Sequence, residues 1–453
     1  MQGIVFVPGI SGSELIYQNQ MPPIWPPKWT DLFVYRELDE LLDPDDVTVG
    51  DVIDSVVGLI PFYETTENDL RAISSSVNGV ANGPYLPAPY DWRVDLLTAV
   101  DDFARKIESF ANSVEEITIV SHSMGGLLTR LLLESKYSTS NPPPAWFGKI
   151  TRALFVCTPH LGAPTALAKI LGLEVTEVVI QPDQMKQFAG DSNFPAVYQL
   201  MPTADRGVLF DTTANKFIRY NDPAVVAAFG LSTSNLNSAN TYNTALKQSQ
   251  RPSTVQYLFV YGTGHQTDEY VKVAGLSLDG ATPSQNDLGD GTVPIWSITE
   301  AAARYTPNIQ TQSFPGSHVG ILATDPFRQF LYSYFGASGH TPLVEDGPGV
   351  KVSLNKRTYR PGETMHILLI PDQETSSLSG SLTLSRYPSE GLAAVPLGSQ
   401  QEIQFRGGPA RSLPSRLIAP NTPGIYRLDF GGANATHKTS DKVAGWFAVS
   451  APS

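Results

Sequence analysis

Three residues of this chain could together activate a serine for attack on a carbonyl carbon. Ser123 is followed by Asp290, 167 residues later, and by His318, a further 28 residues on. A serine hydroxyl is a weak nucleophile at neutral pH, so it needs a base to take its proton and an acid to orient that base. Each of the three residues follows an apolar, strand-like run. The pattern therefore predicts a Ser–His–Asp triad.

Ser123 lies at a predicted sharp turn from a strand into a helix. The β-branched run at 117–120 leads almost directly into a helical pattern of leucines over 127–133. Such a turn, a nucleophile elbow, exposes the serine at the edge of a sheet and needs small neighbours. The glycines at 125–126 meet this need, and Ser121 stands where G-x-S-x-G has its first glycine. The alternative is a glycine-containing turn with an ordinary serine.

His318 is the predicted base because it follows a strand-like run at 308–314, the last of the alternating region. A surface-loop histidine is the alternative interpretation. Of the other six histidines, three precede the acid: His122, His160 and His265. His340 lies in the linker, and His366 and His437 lie in the C-terminal region. His122, beside Ser123, is assigned to packing.

Asp290 is the predicted acid. Gly289 and Gly291 flank it, which suits a tight, exposed turn. Asp287 and Asp279 compete for this role, although Asp287 could simply be solvated. In α/β-hydrolases the acid follows the serine and precedes the histidine, each on a loop at the C-terminal end of a strand, and Asp290 satisfies that order.

A glycine-rich turn at 8–15 follows the first predicted strand at 3–7. It lacks the spacing of both common phosphate-binding glycine motifs. An oxyanion loop is the alternative, in which a backbone N–H is aimed at the charge that develops on the carbonyl oxygen. We therefore predict that the backbone N–H groups of Ile10 and Met124 form an oxyanion hole.

Strand-like runs alternate with helical patterns over the first 338 residues. Apolar residues over 96–110 recur at steps of three and four, which predicts an amphipathic helix before the strand at 117–120. Further strands are predicted at 153–157 and 255–261, with a hairpin over 269–278. This alternation predicts an α/β domain with a mostly parallel sheet.

Two long segments interrupt that pattern and are predicted to form a cap over the active site. Residues 16–65 are rich in proline and tryptophan, and the alternative for them is a loop packed on the domain. Residues 164–250 show helical patches and no strand signal. Insertions of this length between core strands are typical of caps. A closing helix is predicted with Asp325 as its N-cap and Gly336 after its end.

The pattern changes to alternating apolar residues after a Gly/Pro-rich linker at 336–349. Several short strands with Gly/Pro turns predict a second domain over 349–453, an all-β immunoglobulin-like sandwich. The turn at 359–363 (YRPGE) resembles one found in macroglobulin-type and other immunoglobulin-like modules. The role of this second domain is open: it could stabilise the structure or bind carbohydrate, a lipid surface or a partner.

Composition excludes several functions. The net charge of −13, without a basic run longer than a pair, argues against a nucleic-acid partner. Cys157 is the single cysteine, so no internal disulfide can form. We predict no metal and no cofactor, because no ligand spacing is evident. Neither a membrane span nor a signal peptide is visible, so we expect a cytoplasmic protein or a secreted mature form.

Six short motifs lie along the first 335 residues: VFVPG at 5–9, APYDWR at 88–93, SHSMGG at 121–126, YGTG at 261–264, GDGTVP at 289–294 and SH at 317–318. In order and spacing they resemble the lecithin:cholesterol acyltransferase family. Residues 194–202 (FPAVYQLMP) also resemble the family's cap. The resemblance implies that Ser123, Asp290 and His318 are the triad, with Ile10 and Met124 at the oxyanion hole.

The resemblance implies an enzyme that cleaves lipid esters and passes the acyl group to water or an alcohol. A phospholipase or lipase is the first expectation, with transient contact to a lipid surface. An acyltransferase to a sterol or another alcohol is the main alternative, and an amidase, protease or polyester depolymerase is another. A non-catalytic binding protein on a hydrolase scaffold is an alternative of a different class. The sequence leaves the oligomeric state open.

Overall fold

A computed structural model provides the three-dimensional structure of the chain. Asp287 and His437, both weighed above, lie outside the residues that it describes. The described residues are 1–450 apart from 32–33, 139, 141, 175–179, 248–250, 287–288, 342–348, 389–392 and 433–443.

The strands of the described residues are numbered here in chain order. They are β1 (Gln2–Val7), β2 (Ser13–Tyr17), β3 (Val47–Val52), β4 (Ser55–Val56), β5 (Ile60–Pro61), β6 (Tyr85–Pro87), β7 (Glu116–His122), β8 (Ile150–Val156), β9 (Leu209–Asp211), β10 (Lys216–Ile218), β11 (Gln256–Thr263), β12 (Thr267–Ala274), β13 (Ser277–Asn286), β14 (Gln310–Pro315), β15 (Val350–Leu354), β16 (Thr358–Tyr359), β17 (Thr364–Pro371), β18 (Thr375–Tyr387), β19 (Val395–Ala410), β20 (Leu413–Ile418), β21 (Gly424–Gly432) and β22 (Gly445–Val449).

The α-helices of the same residues precede residue 336. They are α1 (Leu38–Leu41), α2 (Glu64–Asn78), α3 (Leu96–Ala111), α4 (Met124–Glu134), α5 (Pro164–Ile170), α6 (Pro182–Gly190), α7 (Ala196–Gln199), α8 (Pro223–Phe229), α9 (Thr233–Lys247), α10 (Ile295–Ala303) and α11 (Asp325–Phe335). None of these helices has the length and apolar character that a membrane crossing requires.

Six parallel strands form the central sheet, in the order β14-β11-β8-β7-β1-β6. Ile4 on β1 pairs with Thr118 on β7 and with Tyr85 on β6. Parallel strands that are covered on both faces show nearly continuous apolar runs, and six of the seven residues of β7 are buried. The predicted α/β class with a parallel sheet is confirmed.

Helix α3 has the amphipathic character that its sequence predicts. Leu96, Val100, Phe103 and Ile107 are buried along one face. The helix begins where the Asp95 carboxylate accepts a hydrogen bond from the N–H of Leu97 at 2.8 Å. It then leads into β7 and so into the turn at residue 123.

The segment 164–250 differs from its prediction because it contains two short strands, β9 and β10. They join β12 and β13 in a four-stranded sheet of order β10-β9-β12-β13. Strands of three residues give too short an alternation to be read from sequence. The hairpin predicted over 269–278 is present as β12 and β13, with longer strands. Residues 16–65 also contain short strands among their prolines, of which β2 pairs with β3.

The closing helix α11 begins one residue earlier than predicted. Thr324, and not Asp325, occupies the N-cap position, and Gly336 ends the helix in a left-handed conformation as expected. Asp325 is already the first residue of the helix, and its carboxylate accepts a hydrogen bond from Arg328 at 2.6 Å.

The described C-terminal residues from Val350 onward form strands and no helix. Antiparallel β15, β17 and β20 form one sheet, and a second has the order β16-β22-β21-β18-β19. Val352, Leu369, Leu428 and Phe447 are buried in a core that both sheets share. The alternating apolar pattern does not predict β19 and β20. The side chains of β19 are mostly exposed, so burial places no such pattern on its sequence.

Candidate active site

Ser123 is the single residue between β7 and α4. Its backbone has φ 54° and ψ −126°, a conformation that costs free energy for any residue other than glycine. The side chain is 6% exposed and stands at the carboxyl end of the central parallel strands. This is the strand–turn–helix arrangement that the elbow pattern predicts.

The two glycines after Ser123 are required by close approach of neighbouring backbone and side chains. A Cβ on Gly125 would collide with the carbonyl oxygen of Pro8, and one on Gly126 would collide with the side chain of Thr158. Ser121 is fully buried and its hydroxyl donates to the carbonyl of Leu154 at 3.3 Å. A small residue therefore suffices at that first motif position.

The structure brings Ser123, His318 and Asp290 together in one hydrogen-bonded chain. Nε2 of His318 lies 2.8 Å from Oγ of Ser123, and Nδ1 lies 2.8 Å from Oδ2 of Asp290. In this arrangement the imidazole can take a proton from the serine while the carboxylate fixes the ring's tautomer.

The Asp290 carboxylate is buried yet remains stabilised in its charged form. Burial alone raises its pKa, but His318 and two backbone N–H groups outweigh this effect, so the pKa lies below its usual range. Oδ1 accepts from the N–H of Thr292 at 2.9 Å and of Val293 at 2.7 Å. Asp279, the other described acid candidate, is exposed on β13.

The predicted oxyanion donors flank the serine. Met124 is the first residue of α4, so its N–H has no acceptor within the helix. Ile10 is half-buried in the turn after β1, and its N–H makes no hydrogen bond to another residue of the described ranges. Both N–H groups remain predicted donors for a developing oxyanion.

Tyr63 and His122 form a hydrogen-bonded link that sequence reasoning missed. The Tyr63 hydroxyl lies 2.8 Å from the N–H of Gly9 and 2.7 Å from Nδ1 of His122. Nε2 of His122 lies 2.9 Å from the carbonyl oxygen of His318. The link thus joins the loop of Ile10 to the loop of His318. Tyr63 has no motif around it, so no sequence signal marked it.

The donors and acceptors of this link follow from its chemistry. The carbonyl oxygen of His318 can only accept, so Nε2 of His122 carries a proton. Burial, and next the charge of His318, lower the pKa of His122 to about 3. The ring is therefore neutral, Nδ1 accepts from the Tyr63 hydroxyl, and that hydroxyl accepts from the N–H of Gly9. His122 does more than pack.

The other described histidines lie away from Ser123. His160 stacks on Phe259 with ring centroids 3.8 Å apart, and both of its nitrogens are buried without a hydrogen-bond partner among the described residues. His265 lies 2.9 Å from the hydroxyl of Ser353. His340 lies near Asp325, and His366 lies on β17.

A group of three potential metal ligands coincides with part of the candidate triad. Among the described residues, ligand atoms of Cys157, Asp290 and His318 lie within 4.8 Å of one another. Burial, and next the charge of Asp290, raise the pKa of the Cys157 thiol. A protonated thiol is a poor metal ligand, and a hydrogen bond already joins the other two groups.

A cavity of about 640 Å³ opens at Ser123 and His318. Its volume lies in the range of small-molecule sites. Apolar side chains from both predicted cap segments line it, among them Phe62 from 16–65 and Met185 and Phe188 from 164–250. Residues 354–363 of the C-terminal strand region line it as well, which the sequence did not indicate.

A family model describes less than half of this chain. Residues 74–274 match the model of the lecithin:cholesterol acyltransferase family. The matched residues include Ser123 and Met124 but exclude Ile10, Asp290 and His318. A search of curated protein sequences finds no significant match.

Solved structures give only weak similarities. Phospholipase PlaB from Legionella pneumophila is 12% identical and covers 98% of this chain and 91% of its own, with a TM-score of 0.30. Spo0M, a sporulation control protein from Bacillus subtilis, is 14% identical and covers 23% of this chain, with a TM-score of 0.16; the match spans only 50% of Spo0M. Superoxide reductase (neelaredoxin) from Ignicoccus hospitalis is 11% identical and covers 23% of this chain and 78% of its own, with a TM-score of 0.15.

All three TM-scores are too low to establish a shared fold, so the family match is the finding that bears on identity. It spans the elbow and the helices around it, where the motifs had indicated the resemblance. Residues 74–274 of the chain are thus similar to the lecithin:cholesterol acyltransferase family.

Proposed function

We propose that this chain is a serine-dependent esterase of lipid substrates, a phospholipase or lipase. The observation that carries the proposal is the hydrogen-bonded chain from Ser123 through His318 to Asp290. Ser123 faces a cavity whose lining includes apolar side chains from both cap segments, which suit an acyl group. The name of the matched family, with lecithin as its first substrate, supports a phospholipid ester.

Each residue of the proposed site has its own role in the reaction. Nε2 of His318 takes the proton of Ser123 as Oγ attacks the ester carbonyl, and Asp290 stabilises the imidazolium that forms. The N–H groups of Ile10 and Met124 stabilise the oxyanion. His318 then protonates the leaving alcohol, an acyl-enzyme remains on Ser123, and water with His318 as base releases the fatty acid.

A serine-reactive fluorophosphonate tests this mechanism at Ser123. Wild type is expected to be labelled, and Ser123→Ala is not. Ser121→Ala is the matched control, because that buried serine lies two residues away and its hydroxyl donates to a carbonyl. Equal labelling of Ser123→Ala contradicts the assignment of the nucleophile. An unlabelled wild type favours the alternative of a non-catalytic binding protein.

Transfer of the acyl group to a sterol or another alcohol is the second candidate, supported by the family's name. The two candidates differ in their products. With a phospholipid donor and cholesterol present, a hydrolase yields mainly free fatty acid, and an acyltransferase yields mainly sterol ester. A parallel panel of amide and polyester substrates tests the amidase, protease and depolymerase alternatives.

We further propose an α/β-hydrolase domain over 1–338, with cap segments at about 16–65 and 164–250, and an immunoglobulin-like domain over 349–453. Two buried cores support this division: the larger lies mainly in the first 335 residues and includes a few C-terminal side chains, and the smaller lies wholly within 350–449. Met21 is 71% exposed and Val34 is 55% exposed, both within the first cap segment. We propose that these side chains make transient contact with a lipid surface.

A further inference from the structure

Three successive backbone N–H groups fix the loop that carries His318. The N–H of Gly316 donates to a carbonyl on β11 at 3.1 Å, and the N–H of His318 donates to the carbonyl of Asp290 at 2.8 Å. Between them, the N–H of Ser317 donates to the hydroxyl of Ser353 at 3.0 Å. Ser353 lies on β15, in the C-terminal strand region. One of these three hydrogen bonds is therefore accepted by a side chain from outside the parallel-sheet region.

The Ser353 hydroxyl uses its full hydrogen-bonding capacity at this position. It donates to the hydroxyl of Ser317 at 3.3 Å and lies 2.9 Å from Nε2 of His265. Burial lowers the pKa of His265 to about 3, so its ring is neutral and carries one proton. Nδ1 of His265 is buried without a hydrogen-bond partner among the described residues, so the proton belongs on Nε2, where Ser353 accepts it. Ser353 is 2% exposed, and these contacts are therefore shielded from water.

His265 in turn contacts the loop that carries Asp290. Its N–H donates to the carbonyl of the residue before Asp290 at 3.1 Å, and its backbone pairs with that of Asp290 in a parallel bridge. The hydroxyl of Thr267, two residues further along, accepts from the N–H of Gly291 at 3.0 Å. The segment that bears His265 thus holds the proposed acid from both sides. Ser353 therefore connects the loop of the proposed base to the segment that fixes the loop of the acid.

The backbone and side chains around Ser353 pack closely on the parallel-sheet region. A Cβ on Gly291 would lie 2.4 Å from the carbonyl oxygen of Asn355, which directly follows β15. Gly291 also has φ 89°, so glycine is required there for two reasons. A Cβ on Gly264, directly after β11, would lie 2.7 Å from the side chain of Leu368, which pairs with Ser353 across the sheet. Ser353 is therefore held at a fixed place beside both loops.

The C-terminal region has other contacts that keep it docked without this hydroxyl. Lys356 forms an ion pair with Glu174 at 2.9 Å, and Arg360 donates to a carbonyl of the second cap segment at 2.9 Å. Trp446 is buried in the larger core. Removal of the Ser353 hydroxyl should therefore leave the region docked while it releases the N–H of Ser317. The effect of this hydroxyl on the loop of the base can thus be measured separately from docking.

We propose that Ser353 is a positioning residue for the proposed base, and that the C-terminal region thereby completes the active site. Its hydroxyl fixes the backbone of Ser317 and so sets where the imidazole of His318 lies relative to Ser123. The inference rests on the proposed esterase, and it adds a residue outside both the motifs and the family match. Proton transfer depends on the orientation of the base, so the expected effect is on kcat and not on KM.

Kinetics on a small soluble ester test this role. Full-length Ser353→Ala is compared with wild type on p-nitrophenyl butyrate. Ser74→Ala is the matched control, because that buried serine on α2 donates its hydroxyl to the carbonyl of Pro84 at 2.8 Å. We expect Ser353→Ala to lower kcat about tenfold with KM changed less than about twofold, and Ser74→Ala to retain kcat. An unchanged kcat in Ser353→Ala, or an equal loss of kcat in both variants, overturns the proposal.

Two larger variants separate the hydroxyl from the shape of the side chain. Ser353→Thr and Ser353→Val add nearly the same volume, and only threonine keeps a hydroxyl that can accept from the N–H of Ser317. We expect the kcat of Ser353→Thr to exceed that of Ser353→Val by about fivefold or more. Equal kcat values in these two variants contradict a role for the hydroxyl.

Crystal structures distinguish failure of this role from failure of the proposed esterase. In Ser353→Ala we expect Nε2 of His318 to move by about 0.5 Å or more from its place beside Oγ of Ser123, with no such movement in Ser74→Ala. If the ring moves but wild type hydrolyses no ester, the proposed esterase fails and the positioning role stands. If wild type is active and Ser353→Ala keeps both its kcat and the position of the ring, the positioning role fails and the esterase stands.

Discussion

Tyr63 connects three parts of the candidate site through a single hydroxyl. It accepts from Gly9, beside the predicted oxyanion donor Ile10, and it donates to His122, which in turn donates to the backbone of His318. Because the pKa of His122 is about 3, its ring stays neutral near neutral pH, and each group in this link keeps the same role as donor or acceptor. We infer that Tyr63 is a positioning residue, since it does not contact the reacting atoms.

Tyr63→Phe tests this positioning role. It leaves the Gly9 N–H and Nδ1 of His122 buried without partners, which costs about 1–3 kcal/mol of stability. We expect kcat to fall about tenfold, equivalent to about 1.4 kcal/mol, with little change in KM. Tyr220→Phe is the control, because it removes a buried hydroxyl that donates to Pro202 at 2.7 Å in the cap segment. Equal loss of kcat in both variants contradicts the role.

Asp290→Asn tests the assignment of the acid. The amide can donate to Nδ1 of His318 and so favours the wrong tautomer; we expect kcat to fall by about three to four orders of magnitude. Asp279→Asn, on exposed β13, should retain full activity.

The lowered pKa of Asp290 means that its carboxylate stabilises the fold above the ordinary aspartate pKa. This contribution to stability disappears as the pH falls through the lower pKa of the folded state. The urea midpoint of Asp290→Asn should therefore depend less on pH in acid.

The elbow is the element on which the proposed chemistry depends. Strand β7 and helix α4 are separated by one residue, and α4 lies so close to β1 that only glycine fits at position 125. The positive φ of Ser123 is tolerated because the sheet and helix fix the chain on both sides. Backbone packing, and not the motif letters alone, therefore determines where the hydroxyl points.

Gly125→Ala tests this packing. Alanine favours a helix over glycine by about 1 kcal/mol, but the new methyl group meets backbone oxygens that no side-chain rotation can relieve. Overpacking typically costs about 1–3 kcal/mol, so we expect a net loss of stability together with loss of activity. Gly148→Ala is the control, because no atom of the described residues other than its chain neighbours lies within 4 Å of the added Cβ, and the φ of Gly148 is not positive. Melting temperatures and esterase assays report both effects, and full activity in Gly125→Ala would refute the packing argument.

At the scale of the whole molecule, two cores are joined by contacts at the proposed active site. The larger core extends from β1 to α11 and takes in a few residues of β21 and β22, and the smaller lies between the two C-terminal sheets. Burial also keeps three histidines of the larger unit neutral: His122, His160 and His265. Unfolding lets each of them take up a proton below its ordinary pKa, so acid destabilises the molecule as a whole.

His160→Phe measures this effect at one site. The folded pKa of His160 lies well below 6.5, so the unfolded chain binds more protons as pH falls below 6.5 and stability decreases. At pH 5 the loss from one such histidine is about 2 kcal/mol. Phenylalanine keeps the stacking on Phe259 and cannot titrate. We expect urea midpoints of wild type and variant to diverge between pH 7 and pH 5, with the variant more stable; a constant difference contradicts the prediction.

The sequence alone was sufficient for the α/β class and for the strand–turn–helix arrangement at Ser123. It also selected Asp290 and His318, which remain the proposed acid and base. Each of these depends on local order: apolar runs that end in particular residues, glycines at fixed offsets and the sequence of three residue types. The family resemblance followed from the same motifs, and the match over residues 74–274 confirms it.

The tertiary structure alone revealed Tyr63, the link through His122 and the cavity wall at 354–363. Tyr63 is 59 residues from His122, and Ser353 is 36 residues from Ser317. No spacing rule joins such pairs, because their contacts arise only when separate elements pack against one another. The sequence shows which residue types could take part in catalysis. Which of them line one cavity depends on how β15 packs against the loops of the parallel sheet.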